Sequence, residues 1–382
     1  MARALSEDEL LRLIDALAAG EWRSGEALAA EAGVTRAALA KRVGHLREWG
    51  LEVEAEAGRG YRLAQPLQRL EADRIRALLP AQRALRGLEV LARTDSTNQR
   101  LLEADAAQDP QVLFAELQTA GRGRRGRQWR SPFGANLYLS LAWSFPAWPP
   151  QLSALSLAVG VACARALRRA GLRAVRLKWP NDLRVGEAKL GGILIEQRGE
   201  AGGACRVVIG VGLNVAMSRA QAGELGQPWT SVQAVLASGS AENPFIPSSS
   251  EGAELLRMSR VGREATRIEG EAGEHGPLDT RRFATHSGRT GVVDRNALAA
   301  SLLGELLAAL EQFGIEGFTP FLPDWATLDL TANQPVRIEG AGEPLQGVAR
   351  GVDEQGALIV EAQGKRHHVH SGEVSLRLEG GA

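Results

Sequence analysis

The sequence predicts an α/β (α+β) chain in three units: an N-terminal winged helix-turn-helix, a central domain on one mixed sheet, and a small all-β domain at the end. Three observations predict this. Leu10, Leu13, Ile14 and Leu17 recur at helical spacing, and two further capped helical runs with a Gly turn follow them. Strand-like and helical runs mix between residues 70 and 330. After residue 331, short strand-like runs are separated by Gly-bearing turns.

The first unit spans residues 1–65. Ser6 is placed to cap the first helix and Ser24 the second, Gly25–Ala32. Gly33 makes the turn, and Thr35 caps a third helix that runs to about Trp49. Leu51–Leu63 reads as a hairpin wing around Ala57-Gly58-Arg59-Gly60. The third helix turns Leu39, Val43 and Leu46 inward and carries Arg36, Lys41, Arg42 and Arg47, the layout of a recognition helix. Thr35, Arg36, Lys41, Arg42, Arg47 and the wing residue Arg59 are therefore the candidate DNA contacts. Residues 1–64 hold nine Lys/Arg against eleven Asp/Glu, so affinity for DNA in general is expected to be modest. Tight binding would need two half-sites. A helical protein-docking domain is the competing reading of this unit.

The central unit, 66–330, contains strand-like runs at Glu89–Ala92, Val112–Ala115, Asn136–Trp143, Val175–Lys178, Gly192–Glu196 and Arg206–Gly212. Helical runs lie at Thr97–Ala106 and Leu152–Ala170. Residues 238–292 have few apolar anchors and are expected to form a largely disordered insert with one short helix near Glu254–Ile268. Asp294 then caps a helix bearing Leu298, Leu302, Leu306, Leu310 and Phe313. In the last unit, 331–382, strands are expected at Pro335–Ile338, Gln346–Val352, Ala357–Glu361, Arg366–His370 and Val374–Leu378. His367, His368 and His370 share one strand with no Cys or acidic partner set, so they read as exposed side chains and no metal site is assigned.

Composition narrows the class. Apolar residues make up 44% of 382, enough for a sizeable core, and the formal net charge of zero argues against a coat for bulk nucleic-acid binding. Cys163 and Cys205 have no metal-like spacing and read as core thiols of a reducing, cytoplasmic compartment. The opening MARALSEDELLRLIDALAAG lacks a basic n-region and reads as an amphipathic helix. The apolar run near Leu152–Ala166 is too short to cross a bilayer and contains Arg165, so no membrane is expected.

Gly121–Arg127 reads GRGRRGR and fits G-x-G-x-x-G. A dinucleotide site would need a helix starting inside the motif and an acid about 20 residues on. Instead Trp129, Pro132 and Gly134 follow, then the strand-like NLYLSLAW, and no Asp or Glu occurs between Glu116 and Asp182. What remains is a glycine-hinged loop of dense positive charge, suited to phosphate or carboxylate. The competing reading is a solvated basic loop.

Four stretches stand together: TDSTNQ (Thr94–Gln99), QTAGRGRRGRQW (Gln118–Trp129), KWPNDL with KLGGILIE (Lys178–Leu183 and Lys189–Glu196), and GVGLN (Gly210–Asn214). In combination they resemble the biotin–protein ligases. With the winged helix, the chain is similar to the bifunctional members, which are ligase and biotin-operon repressor in one. The resemblance covers nearly all of the chain outside 238–292. It implies a catalytic domain of the biotin/lipoate-ligase type and a C-terminal SH3-like β-barrel. It also implies two steps: biotin and ATP give biotinyl-5′-AMP and pyrophosphate, and a lysine of the carrier protein of acetyl-CoA carboxylase then takes the biotinyl group.

The resemblance assigns Ser96, Thr97, Asn98, Gln118, Arg122, Gly123, Arg124 and Lys189 to biotin or the acyl phosphate. It assigns Lys178, Arg127, Trp129, Asn181, Asn214 and Trp229 to the nucleotide, with Trp229 a candidate for stacking on adenine. Asp182, with Lys189 and Arg124 in the catalytic set, would orient Mg²⁺ or the incoming amine; Mg²⁺ is expected to arrive with ATP. Physical demands agree with these roles. Joining two anions needs fixed cations, and a reactive acyl-adenylate needs a loop that closes over it. The resemblance further implies operator DNA as a partner and a homodimer when biotinyl-AMP is bound. One departure is the stretch of about fifty residues between the Trp229 segment and the Asp294 helix. A biotin sensor without ligase activity, and a ligase for lipoate or octanoate, remain alternatives at this point.

Overall fold

The computed structural model describes residues 5–80, 85–199, 204–223, 225–238, 293–340, 343–372 and 374–378. The expected insert, apart from Ser238, and its short helix near Glu254–Ile268 lie outside them.

The N-terminal unit has the expected elements: α1 (Glu7–Leu17), α2 (Gly25–Glu31), α3 (Arg36–Glu48), β1 (Val53–Glu56) and β2 (Gly60–Leu63). Ser6 and Glu9 close a reciprocal capping box on α1, and the Thr35 side chain accepts the Ala38 N–H at the start of α3. Leu10, Ile14, Leu39, Val43 and Leu46 form its core. Arg42 departs from expectation. It is buried on the inner side of α3, and its Nη2 lies 2.7 Å from Glu9 Oε1, so it ties α3 to α1 and is removed from the DNA-facing set. Arg47 donates to the Val53 carbonyl and braces the wing, although its side chain stays exposed. Thr35, Arg36, Lys41 and Arg59 are exposed.

The central elements follow as α4 (Ala72–Leu78), β3 (Gly87–Leu91), α5 (Thr97–Glu103), β4 (Gln111–Ala115), β5 (Leu137–Phe145), α6 (Leu155–Arg169), β6 (Val175–Lys178), β7 (Asp182–Val185), β8 (Ala188–Arg198), β9 (Cys205–Leu213), α7 (Arg219–Ala222), α8 (Val232–Ala237), α9 (Arg295–Glu316) and α10 (Leu322–Leu328). The seven-stranded sheet runs β3-β4-β5-β9-β8-β7-β6. Only β3 and β4 pair in parallel. Its alternation sorts the two faces. Val112, Phe114, Leu139, Leu141 and Ile209 face α6 and α9 in the main core. Leu113, Ala142 and Val208 face α5 on the other side. Helix α9 is long and apolar enough to span a bilayer by composition, yet Leu298, Leu302, Leu306, Leu310 and Phe313 are buried in this core. Both cysteines are buried, and burial pushes the Cys163 thiol up to about 12.

The C-terminal unit is one antiparallel sheet of β10 (Pro335–Glu339), β11 (Leu345–Val352), β12 (Leu358–Ala362), β13 (Lys365–Val369) and β14 (Ser375–Leu378), ordered β13-β12-β11-β10-β14. The expected barrel is thus seen as a five-stranded sheet whose described pairings do not join β13 to β14. His367, His368 and His370 are exposed, with His368 Nδ1 2.6 Å from Asp353 Oδ2. Among the described residues no cluster of three His, Cys, Asp or Glu could hold a metal.

A buried ion pair clamps the central unit. Arg295, at the start of α9, donates from Nη2 to Glu116 Oε2 at 2.8 Å and to the Asn136 carbonyl at 2.6 Å. Its Nη1 donates to the Gln68 carbonyl, and Glu116 Oε1 accepts the Leu70 N–H. Glu116 follows β4 and Asn136 precedes β5, so one guanidinium grips both ends of the segment 117–135. The winged helix docks on that same segment: Trp49 stacks on Phe133 with ring centroids 5.3 Å apart, and the Phe133 N–H donates to the Trp49 carbonyl. The Arg295 and Glu116 side chains are 3% and 2% exposed. Replacing Arg295 by Met should therefore strand a buried carboxylate and lower stability by roughly 3–5 kcal/mol, read from urea unfolding. The double variant R295M/E116L should recover part of that loss.

Candidate functional site

The sheet face carrying α5 also carries two adjoining cavities, of about 370 and 400 Å³. The first is lined by Ser96, Thr97, Asn98, Gln118, Arg122, Gly123, Arg124, Lys178, Asn181, Asp182 and Lys189, among others. The second is lined by Arg127, Trp129, Lys189, Asn214 and Trp229, among others. Arg127, Trp129 and Lys189 border both. Residues more than 130 positions apart in sequence, grouped by the motif reading, are thus brought together.

The first cavity has a polar wall at the start of α5. The Ser96 side chain caps that helix, and the Thr97 N–H donates to Gln118 Oε1 at 2.9 Å. Ser140 on β5 donates to Asn98 Oδ1 at 2.5 Å and sits 2.7 Å from Thr97 Oγ1. Asn98 Nδ2 donates to Glu196 Oε2 at 2.9 Å, and Arg122 Nη2 donates to the same oxygen at 2.8 Å. Glu196 therefore joins the helix wall to the basic loop across the sheet. Neither Ser140 nor Glu196 was singled out by the motif reading. The signal was present in the period-2 alternation of β5 and β8, which puts Ser140 on the site face between Leu139 and Leu141.

Glycines make the floor. A Cβ at Gly212 would lie 2.5 Å from the Trp129 ring, and one at Gly210 would lie 2.3 Å from Asn98 Oδ1. The bare backbone lets Trp129 and Asn98 lie flat on the sheet. Lys189 Nζ is 5.6 Å from the Trp129 ring centroid and pairs with Asp182 Oδ1 at 2.7 Å. The Lys189 backbone bridges to the Pro228–Thr230 segment, which places Trp229 at the second cavity. Asn214 Nδ2 donates to the Thr230 carbonyl at 3.2 Å, and Asn181 Nδ2 to the Ile193 carbonyl at 2.8 Å. Both asparagines line a cavity while also holding main chain.

The basic loop folds across the opening. It leads into a single 3-10 turn, Arg124–Gly126, and then β5, with no helix behind it. Arg125 takes a left-handed φ of 59°, followed by Gly126 at 70°. Arg124 reaches the C-terminal unit, donating to the carbonyls of Ser371 and Gly372, and also to Asn181 Oδ1. Burial pulls the Arg124 pKa down, the nearby Asp182 opposing that shift. Lys178 is brought down to about 8, first by burial and then by the Arg184 charge.

The charge balance of the first cavity decides its chemistry. Arg122, Arg124, Arg125, Arg127, Lys178, Arg184, Lys189 and Arg377 line it, against one carboxylate, Asp182. Such a pocket, part polar wall and part aromatic floor, is built for an anion attached to a flat polar ring system.

Comparison with known proteins agrees. Residues 90–214 match the biotin/lipoate A/B protein ligase family, 331–377 the biotin protein ligase C-terminal domain, and 10–62 an HTH domain. The chain is 39% identical to the bifunctional ligase/repressor BirA of Salmonella typhimurium, over 96% of this chain and 97% of that one. It is 33% identical to the biotin–[acetyl-CoA-carboxylase] ligase of Mycobacterium tuberculosis, over 78% and 91%. The biotin protein ligase of Aquifex aeolicus solved with biotin and ATP shares the fold, with a TM-score of 0.52 at 23% identity over 77% of this chain and 99% of that chain. Aligned nearly end to end with a bifunctional ligase/repressor at 39% identity, this chain belongs to the biotin–protein ligase family.

Proposed function

We propose that this chain is a biotin–protein ligase that uses ATP to form biotinyl-5′-AMP and transfers biotin to a lysine of the carrier protein of acetyl-CoA carboxylase. The observation that carries this is the pair of adjoining cavities bordered by Arg127, Trp129 and Lys189 under a field of eight cations and one carboxylate.

In the first step a biotin carboxylate oxygen attacks the α-phosphorus of ATP. The bond from that phosphorus to the bridging oxygen breaks, and pyrophosphate leaves with the electron pair. Ser96, Thr97, Asn98 and Gln118 form the polar wall for the ureido ring. Arg122, Gly123, Arg124 and Lys189 face the reacting carboxylate and phosphate, where fixed cations offset the repulsion of two anions. Lys178, Asn181, Arg127, Trp129, Asn214 and Trp229 hold the nucleotide, with the tryptophans as surfaces for adenine. Mg²⁺ enters as part of the MgATP substrate. In the second step the carrier lysine amine attacks the biotinyl carbonyl, and AMP leaves. Asp182 holds Lys189 in position and is the carboxylate of this cavity that an incoming ammonium would meet.

The winged helix supports a second role as a repressor that reads operator DNA through Thr35, Arg36, Lys41 and Arg59, with Arg47 contributing as a brace of the wing. Occupancy of the ligand site would favour a homodimer, and the dimer would present two recognition helices.

Incubating the protein with biotin, MgATP and a carrier domain should add one biotinyl mass to one lysine by mass spectrometry. Lys189→Ala should slow the reaction by about 100-fold. No added mass with a folded wild-type protein would sink the ligase reading. The pH profile gives a second check. Lys178 is charged below about pH 8 and neutral above it, so KM for ATP should climb as pH rises from 7 to 9. Lys178→Arg should flatten that climb. On DNA, footprints should require both biotin and ATP. Arg36→Ala or Lys41→Ala should reduce the salt slope by about one each, whereas Arg42→Ala should act on thermal stability.

A further inference from the structure

Strand β7 alternates. Leu183 and Val185 pack into the main core, so Asp182 and Arg184 point to the opposite face, the face of the site. In the sheet register Lys178 on β6 opposes Asp182, and Lys189 on β8 opposes Arg184, where the ladder is bulged. Arg184 lines the first cavity and is only 6% exposed. Its Nε is buried with no hydrogen-bond partner. Among the described residues its one ion pair is a long contact of 3.9 Å from Nη1 to Glu187 Oε2. A buried guanidinium with so little compensation is costly unless an anion completes it. Lys178, its neighbour on the same face, has no ion pair among the described residues. The positive charge of Arg184 also helps to hold its pKa down, after burial. By contrast, Lys189 is neutralised by Asp182 and Arg122 by Glu196.

We propose that Arg184 and Lys178 form the subsite for the departing pyrophosphate, Arg184 being a phosphate-binding residue outside the motifs that mark this family. This rests on the adenylation reading above. As the bond between the α-phosphorus and the bridging oxygen breaks, charge accumulates on that oxygen and on the terminal phosphates. A planar guanidinium beside an ammonium offers donors to both. The two cations already bound to carboxylates remain for the acyl phosphate.

Three measurements on the full chain test this: binding of inorganic pyrophosphate by calorimetry, biotinyl-AMP synthesis from biotin and MgATP, and transfer from purified biotinyl-AMP to a carrier domain. Arg184→Gln should weaken pyrophosphate at least about tenfold and raise KM for ATP. It should slow synthesis by about 100-fold and leave transfer within about twofold of wild type, since that step involves no pyrophosphate. Arg184→Lys should fall between the two and stands in if Arg184→Gln does not fold. Unchanged pyrophosphate binding in a folded variant, or synthesis and transfer falling together, would overturn the assignment. So would a wild-type protein that does not bind pyrophosphate. If wild-type protein binds pyrophosphate through Arg184 but makes no biotinyl-AMP, the subsite stands and the adenylation reading fails.

Discussion

One guanidinium sets the frame of this molecule. Arg295 bonds Glu116 at the close of β4 and the Asn136 carbonyl at the entrance to β5. Everything between them, including GRGRRGR, Trp129 and Phe133, is a long excursion with its two feet clamped. The clamp is buried, where a charge must be paired to be tolerated. Because the pair also takes the Leu70 N–H and the Gln68 carbonyl, the entry to the central domain is fixed by the same atoms. The loop can therefore carry many mutually repelling arginines without dragging the sheet out of register.

Above that clamp, the site separates paired from unpaired charge. Lys189 and Arg122 sit against carboxylates, Arg124 against carbonyls between β13 and β14, and Lys178 and Arg184 face the cavity with little compensation. The C-terminal unit is thereby part of the site: β14 supplies Arg377 to the lining, and the segment between β13 and β14 supplies carbonyl acceptors to Arg124. The winged helix is attached at the far end of the same excursion, through Trp49 on Phe133.

Much of this was legible in the sequence. The helix caps Ser6, Ser24, Thr35 and Asp294 and the apolar spacing behind them located α1, α2, α3 and α9. Six of the seven central strands could be read from apolar runs. The exception was β7, whose Asp182 and Arg184 masked the alternation with Leu183 and Val185. The first residues of β8, Ala188–Gly191, also lay outside the expected strand, which began at Gly192, because Lys189 and Gly191 interrupt the apolar run. Motif matching found the helix wall, the loop and Lys189. It gave no role to Glu196, the last residue of KLGGILIE, or to Ser140, whose importance lies in which neighbours the register gives them. Charge on α3 was over-read, because a helical wheel does not show that Arg42 has a carboxylate, Glu9, waiting on α1.

The glycine floor has a consequence for redesign of ligand scope. At Gly210 and Gly212 a single methyl group would occupy space already held by Asn98 and Trp129. The floor is thus a fixed gauge, closed to the gradual enlargement or shrinkage by which pockets are usually retuned. The helix wall is different: Ser96, Thr97 and Asn98 are short side chains at the mouth of α5, and changes there would alter shape without lifting the strands. A library aimed at accepting a bulkier or differently headed acid belongs on that wall, with Ser140 and Glu196 varied in concert so that the wall keeps its hydrogen bonds.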